Sequence, residues 1–301
     1  MKNPNVLVIG DTILDRYVEG RVDRISPEAP VPVLLRKDHW EVLGGACNVA
    51  ANIGSLTGYA GEVDFFGFGS MDVVRMLAEQ RVNFCGVAVS KEVLLTKTRY
   101  ISDNHQLLRV DKNVEYEEPL RLVAAKLLRG LDLSKYSLTV ISDYDKGTLS
   151  EEIARYITDK FDGPILIDLK KFRNWLTDID LKRSIIKCNV HEYEKNRIDI
   201  LDYSSAHRIV VTLGKYGYKI LKPSLAGAEM LMTISAHKLE RSAIDLVGAG
   251  DVFLAGMAAQ FCLTGSFEAH NMCLLGNKAS AIRVSRFGKL VVTKKEVEDG
   301  F

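Results

Sequence analysis

Four short, largely β-branched runs, each followed at once by a polar residue or a glycine, constrain the fold of this chain most strongly. The runs are residues 6–9, 138–141, 165–167 and 209–211. Runs of this length are typical of strands that are buried on both faces of a parallel sheet. Helix-like segments accompany them at residues 47–56, 119–131, 150–159 and 268–284. The sequence therefore predicts an α/β fold with a mostly parallel central sheet and helices on both faces.

Polar side chains stand where each of these predicted strands ends. They are Asp11, Asp143, Asp168 and Thr212. In open α/β sheets, ligands bind beyond the carboxyl ends of the strands. We therefore expect these four residues to line one crevice.

Two early stretches, residues 15–36 and 96–111, depart from the βα rhythm because they alternate apolar and polar residues. That pattern is typical of antiparallel strands with one wet face. We interpret them as a small β-flap over the crevice, which would exclude water from a reactive group. The alternative is an edge extension of the main sheet. A flap sheet has bare edges, which favours pairing with a second copy as a homodimer.

Composition excludes several classes of protein. With 40 basic and 39 acidic residues the net charge is +1, so no global field attracts nucleic acid or anionic membrane. The five cysteines are scattered without a Cys-x-x-Cys pair, which indicates a reducing compartment. We find no signal-peptide pattern, no apolar run long enough to span a bilayer and no linker-like segment. We therefore expect a single cytoplasmic domain over residues 1–301.

A glycine turn at residues 245–251 carries the chemistry that the sequence indicates. Gly248 and Gly250 would leave the amides of residues 248–250, including that of Ala249, unpaired at the start of an apolar helix. Such amides, with the helix dipole, bind anions. If the anion is a phosphoryl group in transfer, Asp251 can accept the proton of the attacking hydroxyl. The alternative is an ordinary glycine turn capped by an aspartate.

Together these features resemble the ribokinase-like (PfkB) family of carbohydrate kinases, over essentially the whole chain. Residues 44–50 are similar to the family's Gly-Gly sugar-site signature, and residues 245–251 resemble its second signature. The resemblance implies a ribokinase-like fold, ATP and Mg²⁺. It implies that Asn48 faces the sugar, that Gly44 and Gly45 allow close backbone approach, and that Asp15 bonds sugar hydroxyls. It places Asp251 as the catalytic base; we expect its pKa to be low at a helix N-terminus.

The resemblance also implies a nucleotide and metal site. Asn189 and Glu192 match an Asn-x-x-Glu motif that is linked to the phosphates and to Mg²⁺, which these two residues would hold largely through water. Thr212, Gly214 and Gly217 match a turn that borders the nucleotide. A monovalent cation, K⁺, near Asp245 is a further family trait.

Within the family, the chain is similar to the D-glycero-D-manno-heptose 7-phosphate kinases. The similarity lies in residues 24–32, 96–99, 106–111 and 142–147, the last of which includes Asp143. It implies ATP-dependent phosphorylation of the anomeric hydroxyl to give the 1,7-bisphosphate. A substrate that already carries a phosphate needs cations at the far end of the sugar site. The candidates are Arg24, Lys97, Arg99, Arg109 and Lys146.

Other functions stay open at the level of sequence. The chain resembles other sugar or nucleoside kinases of the same family in its shared motifs. A sugar-phosphate-binding regulator is a second alternative, supported by Val247, which stands where the heptose kinases carry a threonine. A dinucleotide-dependent oxidoreductase is disfavoured because residues 10–15 lack the Gly-x-Gly-x-x-Gly phosphate loop after the first strand.

Overall fold

The computed structural model describes residues 4–103, 105–171, 182–195, 208–224, 227–238, 243–288 and 291–299. The strands in these ranges are β1 (Val6–Gly10), β2 (Thr12–Ile25), β3 (Pro32–Gly45), β4 (Val63–Phe66), β5 (Phe68–Gly69), β6 (Val82–Phe84), β7 (Val87–Ala88), β8 (Leu95–Ser102), β9 (His105–Lys112), β10 (Leu138–Asp143), β11 (Ile165–Leu169), β12 (Ser184–Asn189), β13 (Arg208–Thr212), β14 (Tyr218–Ser224) and β15 (Gly227–Ile234). The helices are α1 (Ala46–Leu56), α2 (Met71–Glu79), α3 (Glu118–Arg129), α4 (Glu151–Lys160), α5 (Val190–Lys195), α6 (Ala249–Thr264), α7 (Ala269–Val284) and α8 (Lys294–Glu298).

A nine-stranded sheet forms the centre of the described structure. Its order is β15-β14-β13-β12-β11-β10-β1-β4-β6. Neighbouring strands from β13 to β6 pair in parallel, whereas β14 and β15 add an antiparallel edge. The predicted α/β class and mostly parallel sheet are therefore confirmed.

Apolar side chains bury both faces of this sheet. In β1, Val6 and Val8 belong to one apolar cluster, whereas Leu7 and Ile9 belong to another. The first cluster contains residues of α1, α2, α6 and α7, and the second contains residues of α3 and α4. Since each fully buried aliphatic side chain contributes about 1.5–3 kcal/mol, the two clusters hold the helices on opposite faces. None of the described helices combines the length and the apolar character that crossing a membrane requires.

The predicted flap is a separate four-stranded sheet with the order β3-β2-β8-β9, and not an extension of the main sheet. Its strands are longer than the sequence indicated, since β2 begins at Thr12 and β3 continues to Gly45. Two of its pairings are antiparallel as expected, but β2 and β8 pair in parallel. The expectation of antiparallel strands was wrong there, because alternation shows which side chains share a face and says nothing of a partner's direction.

Candidate active site

The turn before α6 has the open amides that the sequence predicted, with one exception. Gly248 is the N-cap of α6 and has a left-handed backbone, φ 74°. The first helical hydrogen bond runs from the Val252 N–H to the Gly248 carbonyl at 2.9 Å. The Ala249 N–H donates to the Leu246 carbonyl at 3.3 Å, whereas in the described part of the chain the Gly248 and Gly250 N–H groups have no acceptor. The turn therefore offers amides and a positive helix end to an anion.

A cavity of about 220 Å³ lies on one side of this turn. It is called the charged cavity below. Its lining consists of Ile13, Asp15, Gly45, Lys97, Arg99, Arg109, Tyr144, Val247, Gly248 and Asp251. The flap strands therefore face the glycine turn across this cavity, as the hypothesis of a flap over a crevice requires.

Asp251 is buried at the start of α6, with 6% of its surface exposed. The Tyr144 hydroxyl donates to its Oδ1, and Asn48 Nδ2 donates to its Oδ2 at 3.2 Å. Burial raises the pKa of Asp251, although the bonds from Tyr144 and Asn48 oppose this shift. The expectation of a low pKa was therefore wrong, because desolvation of the carboxylate outweighs the helix dipole. A carboxylate with a raised pKa is a better proton acceptor.

Asn48 belongs to a buried amide chain that supports Asp251. Its Oδ1 accepts from Asn52 Nδ2 at 2.9 Å, and Asn52 Oδ1 accepts from the Val292 N–H at 2.9 Å. Asn48 itself is 0% exposed and does not line the charged cavity. The sequence predicted that Asn48 faces the sugar, but the amide instead orients the carboxylate that does line the cavity.

Asp15 and Arg99 form a buried ion pair on the flap side of the cavity. Arg99 Nη1 contacts Asp15 Oδ1, and the two side chains are 7% and 6% exposed. The glycine pair permits this arrangement, because a Cβ on Gly44 would stand 2.0 Å from Asp15 Oδ2. Gly45 has φ 58° and a Cβ there would stand 2.6 Å from the Asp11 carbonyl oxygen. Close approach explains both glycines.

Lys97 and Arg109 supply two further cations to the charged cavity. The half-exposed Arg109 pairs with Asp111 at 2.9 Å. Lys97 makes no ion pair or hydrogen bond with any residue that the structure describes, and its Nζ lies 5.5 Å from the ring centroid of Tyr144. Burial lowers the pKa of Lys97. A partly desolvated ammonium that lacks a direct hydrogen-bond acceptor is stabilised further when an anion binds.

Three residues predicted to bind substrate lie outside the charged cavity. Arg24 is exposed on β2, nine positions beyond Asp15 (24 − 15), which is roughly 30 Å along an extended strand. Lys146 lines a different surface cavity of about 850 Å³ with residues such as Glu117. Asp143 is 2% exposed at the end of β10. None of these three therefore lines the charged cavity beside Asp251.

The strand-end residues predicted to line one crevice have different surroundings. Asp11 is fully buried, and its carboxylate accepts from the backbone N–H groups of Tyr144, Lys146 and Thr148 at 2.7, 3.1 and 3.0 Å. Asp11 therefore fixes a loop and does not face a ligand. Thr212, in contrast, lines a second cavity.

That second cavity, called the apolar cavity below, has a volume of about 420 Å³ and lies on the other side of the glycine turn. Its lining includes Ala249, Gly250 and the predicted nucleotide residues Thr212, Gly214 and Gly217. Gly217 has φ 98°, and a Cβ there would stand 2.0 Å from the Ile234 carbonyl oxygen. The remaining lining residues are Lys215, Ala236, His237, Ala243, Leu246, Phe253, Asn277, Ser280, Ala281 and Val284. A flat, largely apolar group with an anionic end fits this cavity.

Asn189 and Glu192, predicted as Mg²⁺ ligands, form a capping box at α5. Asn189 Oδ1 accepts from the Glu192 N–H at 2.9 Å, and Glu192 Oε2 accepts from the Asn189 N–H at 2.8 Å. Glu192 Oε1 accepts a hydrogen bond from Lys170 Nζ at 2.7 Å. Within the described ranges, no three His, Cys, Asp or Glu side chains are grouped as a metal site. Because a lysine ammonium contacts Glu192 and the capping box uses the other oxygens, these residues fit Mg²⁺ held through water, as the resemblance implied, better than direct coordination.

Asp245, predicted to lie near a K⁺ ion, is neutralised by Arg283. Its Oδ2 accepts from Arg283 Nη2 at 2.7 Å, and its Oδ1 accepts from the Val247 N–H at 2.9 Å. Arg283 is 0% exposed. A guanidinium in contact with the carboxylate repels a second cation, so Asp245 does not fit a monovalent-cation ligand.

Lys187 is a site residue that the sequence analysis missed. It projects from β12, its side chain is 5% exposed, and its Nζ lies 2.7 Å from Asp168 Oδ2. Although burial opposes it, the pairing with Asp168 raises the pKa of Lys187, so the group stays charged. The detectable signal was a lysine in the middle of an otherwise apolar strand, because a buried charge requires a partner.

Comparison with known proteins gives one consistent result. A family model described as pfkB family carbohydrate kinase matches residues 3–294. Bifunctional protein HldE of Haemophilus influenzae (strain PittEE) is 33% identical over 321 residues, which cover 99% of this chain and 63% of that protein. The chain thus spans 63% of the length of this relative.

Two solved structures share the fold. Ribokinase from Cryptococcus neoformans var. grubii serotype A in complex with ADP superposes with a TM-score of 0.70 at 17% identity, covering 98% of this chain and 99% of that one. Phosphofructokinase-2 from Escherichia coli in complex with substrates and products superposes with a TM-score of 0.71 at 17% identity, covering 98% and 97%.

Proposed function

This chain belongs to the pfkB family of carbohydrate kinases, and we propose that it phosphorylates the anomeric hydroxyl of D-glycero-D-manno-heptose 7-phosphate with ATP. The family membership and the ribokinase-like fold make it an ATP-dependent sugar kinase. The finer assignment depends on one observation. The charged cavity contains Lys97, whose ammonium makes no ion pair or hydrogen bond in the described part of the chain, together with the buried carboxylate of Asp251.

The charges of this cavity favour an acceptor that already carries a phosphate. Arg99 pairs with Asp15 and Arg109 with Asp111, whereas Lys97, which both carboxylates also attract, makes no ion pair or hydrogen bond with a described residue. An uncharged sugar offers only hydroxyls, which would leave that ammonium desolvated. A phosphate at the far end of the sugar would accept charge-assisted bonds from Lys97 and Arg109.

The proposed chemistry takes place across the glycine turn. The sugar hydroxyl in the charged cavity donates its proton to Asp251, and its oxygen attacks the terminal phosphorus of ATP, whose base and ribose occupy the apolar cavity. The bond from that phosphorus to the β,γ-bridging oxygen breaks, and ADP leaves with the electron pair. The amides of Gly248 and Gly250 stabilise charge on the migrating phosphoryl group. Mg²⁺, the usual companion of ATP in such kinases, has no direct ligand set in Asn189 and Glu192.

A second candidate is a kinase for another phosphorylated sugar. The similarity in fold to phosphofructokinase-2 and the same flap cations support it, because Lys97 and Arg109 would hold the phosphate of a shorter sugar equally well. The regulator alternative predicts binding of sugar phosphate without formation of ADP. A nucleoside or free-sugar kinase would have no use for the flap cations.

The deciding experiment is an ADP-release assay with heptose 7-phosphate, fructose 6-phosphate and a panel of free sugars, run beside Asp251→Asn. We expect the highest kcat/KM with heptose 7-phosphate. The Asp251→Asn variant should lose activity roughly 10²–10⁴-fold, because a positioned base contributes about that factor. A wild-type rate in the variant, or turnover of free sugars alone, would overturn the proposal.

The flap also supports a proposed homodimer. Strand β9 is an edge of the flap sheet and is exposed along its whole length, including Leu107, Leu108 and Val110. Bare edges with apolar side chains favour pairing between strands of two copies. Sedimentation equilibrium should therefore detect a dimer in the wild type and a monomer in Leu108→Lys.

A further inference from the structure

We infer that Tyr144 is a positioning residue for phosphoryl transfer: its phenol holds the Asp251 carboxylate in the orientation that faces the charged cavity. This inference depends on the proposed role of Asp251 as the base. Tyr144 lies in the loop after β10, which the sequence analysis associated with substrate specificity and not with the base. The hydroxyl of Tyr144 connects that loop to the Asp251 carboxylate.

The carboxylate of Asp11 fixes the backbone of Tyr144. The Tyr144 N–H donates to Asp11 Oδ2 at 2.7 Å, and the Thr148 N–H donates to Asp11 Oδ1 at 3.0 Å. Asp11 is itself 0% exposed at the end of β1. A buried carboxylate that accepts several backbone bonds holds the loop at both ends. The backbone of Tyr144 is therefore held in a fixed position at the carboxyl end of β10.

The phenol and Asn48 hold the Asp251 carboxylate from two different elements. The Tyr144 hydroxyl donates to Oδ1, whereas Asn48 of α1 donates to Oδ2 at 3.2 Å. With one donor on each oxygen, rotation of the carboxylate about its terminal torsion breaks a bond on either side. Preorganisation of this kind keeps a base within reach of the hydroxyl that it deprotonates.

The ring of Tyr144 is held by two lysines. Lys97 Nζ of the flap lies 5.5 Å from the ring centroid, and Lys170 Nζ, which also contacts Glu192, lies 5.1 Å from it. Ammonium groups at this range are attracted to an aromatic face. The ring therefore stands between the cation proposed to bind the substrate phosphate and the base, and the hydroxyl is the part of Tyr144 that reaches Asp251.

Asp251 and Tyr144 contact each other, and several other charged groups lie near both of them. Lys187 on β12 lowers the pKa of Asp251, and Asp168 on β11 raises it. The charged groups near Tyr144 are Asp15 on β2, Lys97 on β8, Lys170 after β11, and Asp168. Burial raises the pKa of the Asp251 carboxyl, and the Tyr144 bond opposes that rise. Loss of the phenol removes a donor to the charged form, so the pKa of Asp251 should rise further.

The test is Tyr144→Phe, which keeps the ring and its contacts with both lysines. Assays use whichever sugar the wild type phosphorylates fastest, so the result does not depend on that sugar being heptose 7-phosphate. We expect kcat to fall roughly tenfold, because a hydrogen bond to a charged group is lost, with little change in KM for the sugar. Because Asp251 must be deprotonated to act, the acid limb of kcat/KM should move to higher pH.

Tyr116→Phe is the matched control, since the buried hydroxyl of Tyr116 has no hydrogen-bond partner in the described part of the chain. It should leave kcat and the acid limb unchanged. A purely structural role for Tyr144 would lower the melting temperature and leave the acid limb in place, which would overturn the inference. An unchanged kcat and acid limb in Tyr144→Phe would overturn it as well, while leaving the proposed substrate unaffected.

Discussion

The Nζ of Lys187 lies 3.1 Å from the point where a Cβ on Gly250 would stand. A buried ammonium is therefore placed directly against the turn whose open amides are proposed to bind the phosphoryl group. Its charge is held there by Asp168, 2.7 Å away. The glycine turn thus has two sources of positive potential, the helix dipole and Lys187, and both act in a region of low dielectric.

Lys187→Met should reduce kcat roughly a hundredfold, as loss of one preorganised charge at a transition state does. It should also lower the free energy of unfolding by about 3 kcal/mol, because Asp168 is left buried without a partner. Kinetics and urea unfolding measure the two effects separately.

The double variant Lys187→Met/Asp168→Asn separates charge from stability. Neutralising both partners should restore most of the unfolding free energy, while kcat stays low. Full recovery of kcat in the double variant would contradict a direct role for the ammonium. Lys135→Met is the matched control, because Lys135 pairs with the buried Asp64 away from both cavities.

Lys97→Met should raise KM for the phosphorylated sugar roughly tenfold, since one charge-assisted bond is lost. The unfolding free energy should fall by no more than about 1 kcal/mol, because the change removes a partly desolvated ammonium whose direct contact is with the Tyr144 ring. Lys112→Met, on the exposed strand β9, is the control and should leave KM unchanged. Equal KM values for both variants would show that the phosphate binds elsewhere.

Gly44→Ala should raise KM for the sugar, because a Cβ would stand 2.0 Å from Asp15 Oδ2 and must displace that carboxylate. Separation of the Asp15–Arg99 pair should cost about 3 kcal/mol of unfolding free energy. Gly130→Ala serves as the control, since Gly130 has an ordinary right-handed backbone at the end of α3. Thermal melting and sugar titration provide the measurements. Unchanged KM in Gly44→Ala would mean that Asp15 does not contact the sugar.

The Asp245–Arg283 pair predicts a pH-dependent stability. Although burial opposes the shift, hydrogen bonding from Arg283 lowers the pKa of Asp245. Its contribution is therefore present above the unfolded-state value of about 3.9 and is lost as pH falls through the lower folded-state pKa. Asp245→Asn should be less stable than the wild type at pH 7, and the difference in unfolding free energy should shrink below about pH 4.

The same ion pair predicts how the enzyme responds to salts. Because Arg283 already neutralises Asp245, exchange of KCl for NaCl at constant ionic strength should not change kcat. A several-fold activation by K⁺ would show that another group binds the cation.

The sequence predicted those features that follow from local patterns. Apolar runs identified four strands of the nine-stranded main sheet, and alternation identified the flap, because both patterns report which faces are buried. The glycine turn was predictable because a turn of this kind needs a residue with a left-handed backbone, which glycine adopts without strain, as Gly248 does here. Asn189 and Glu192 illustrate an ambiguous pattern: Asn-x-x-Glu is also a capping box, and that is the arrangement found.

Contacts between distant segments could not be predicted. Asn48 bonds Asp251 across the interface of α1 and α6, and Lys187 reaches Gly250 from β12. Arg24 was grouped with the flap cations because residues 24–32 resemble the heptose 7-phosphate kinases, although a long strand carries it away from Asp251. The raised pKa of Asp251 depends on burial by residues from several elements, which no local motif encodes.

The glycine turn is a common wall, since Gly248 lines the charged cavity and Gly250 lines the apolar cavity. Donor and acceptor can therefore be bound together with a single residue of backbone between them. Direct transfer from donor to acceptor then needs no covalent phosphoenzyme, which in this cavity would have to form on Asp15, Asp251 or Tyr144. Double-reciprocal plots of initial rate against sugar concentration at several ATP concentrations should therefore give intersecting lines. A chirally labelled phosphoryl group should be transferred with inversion of configuration at phosphorus.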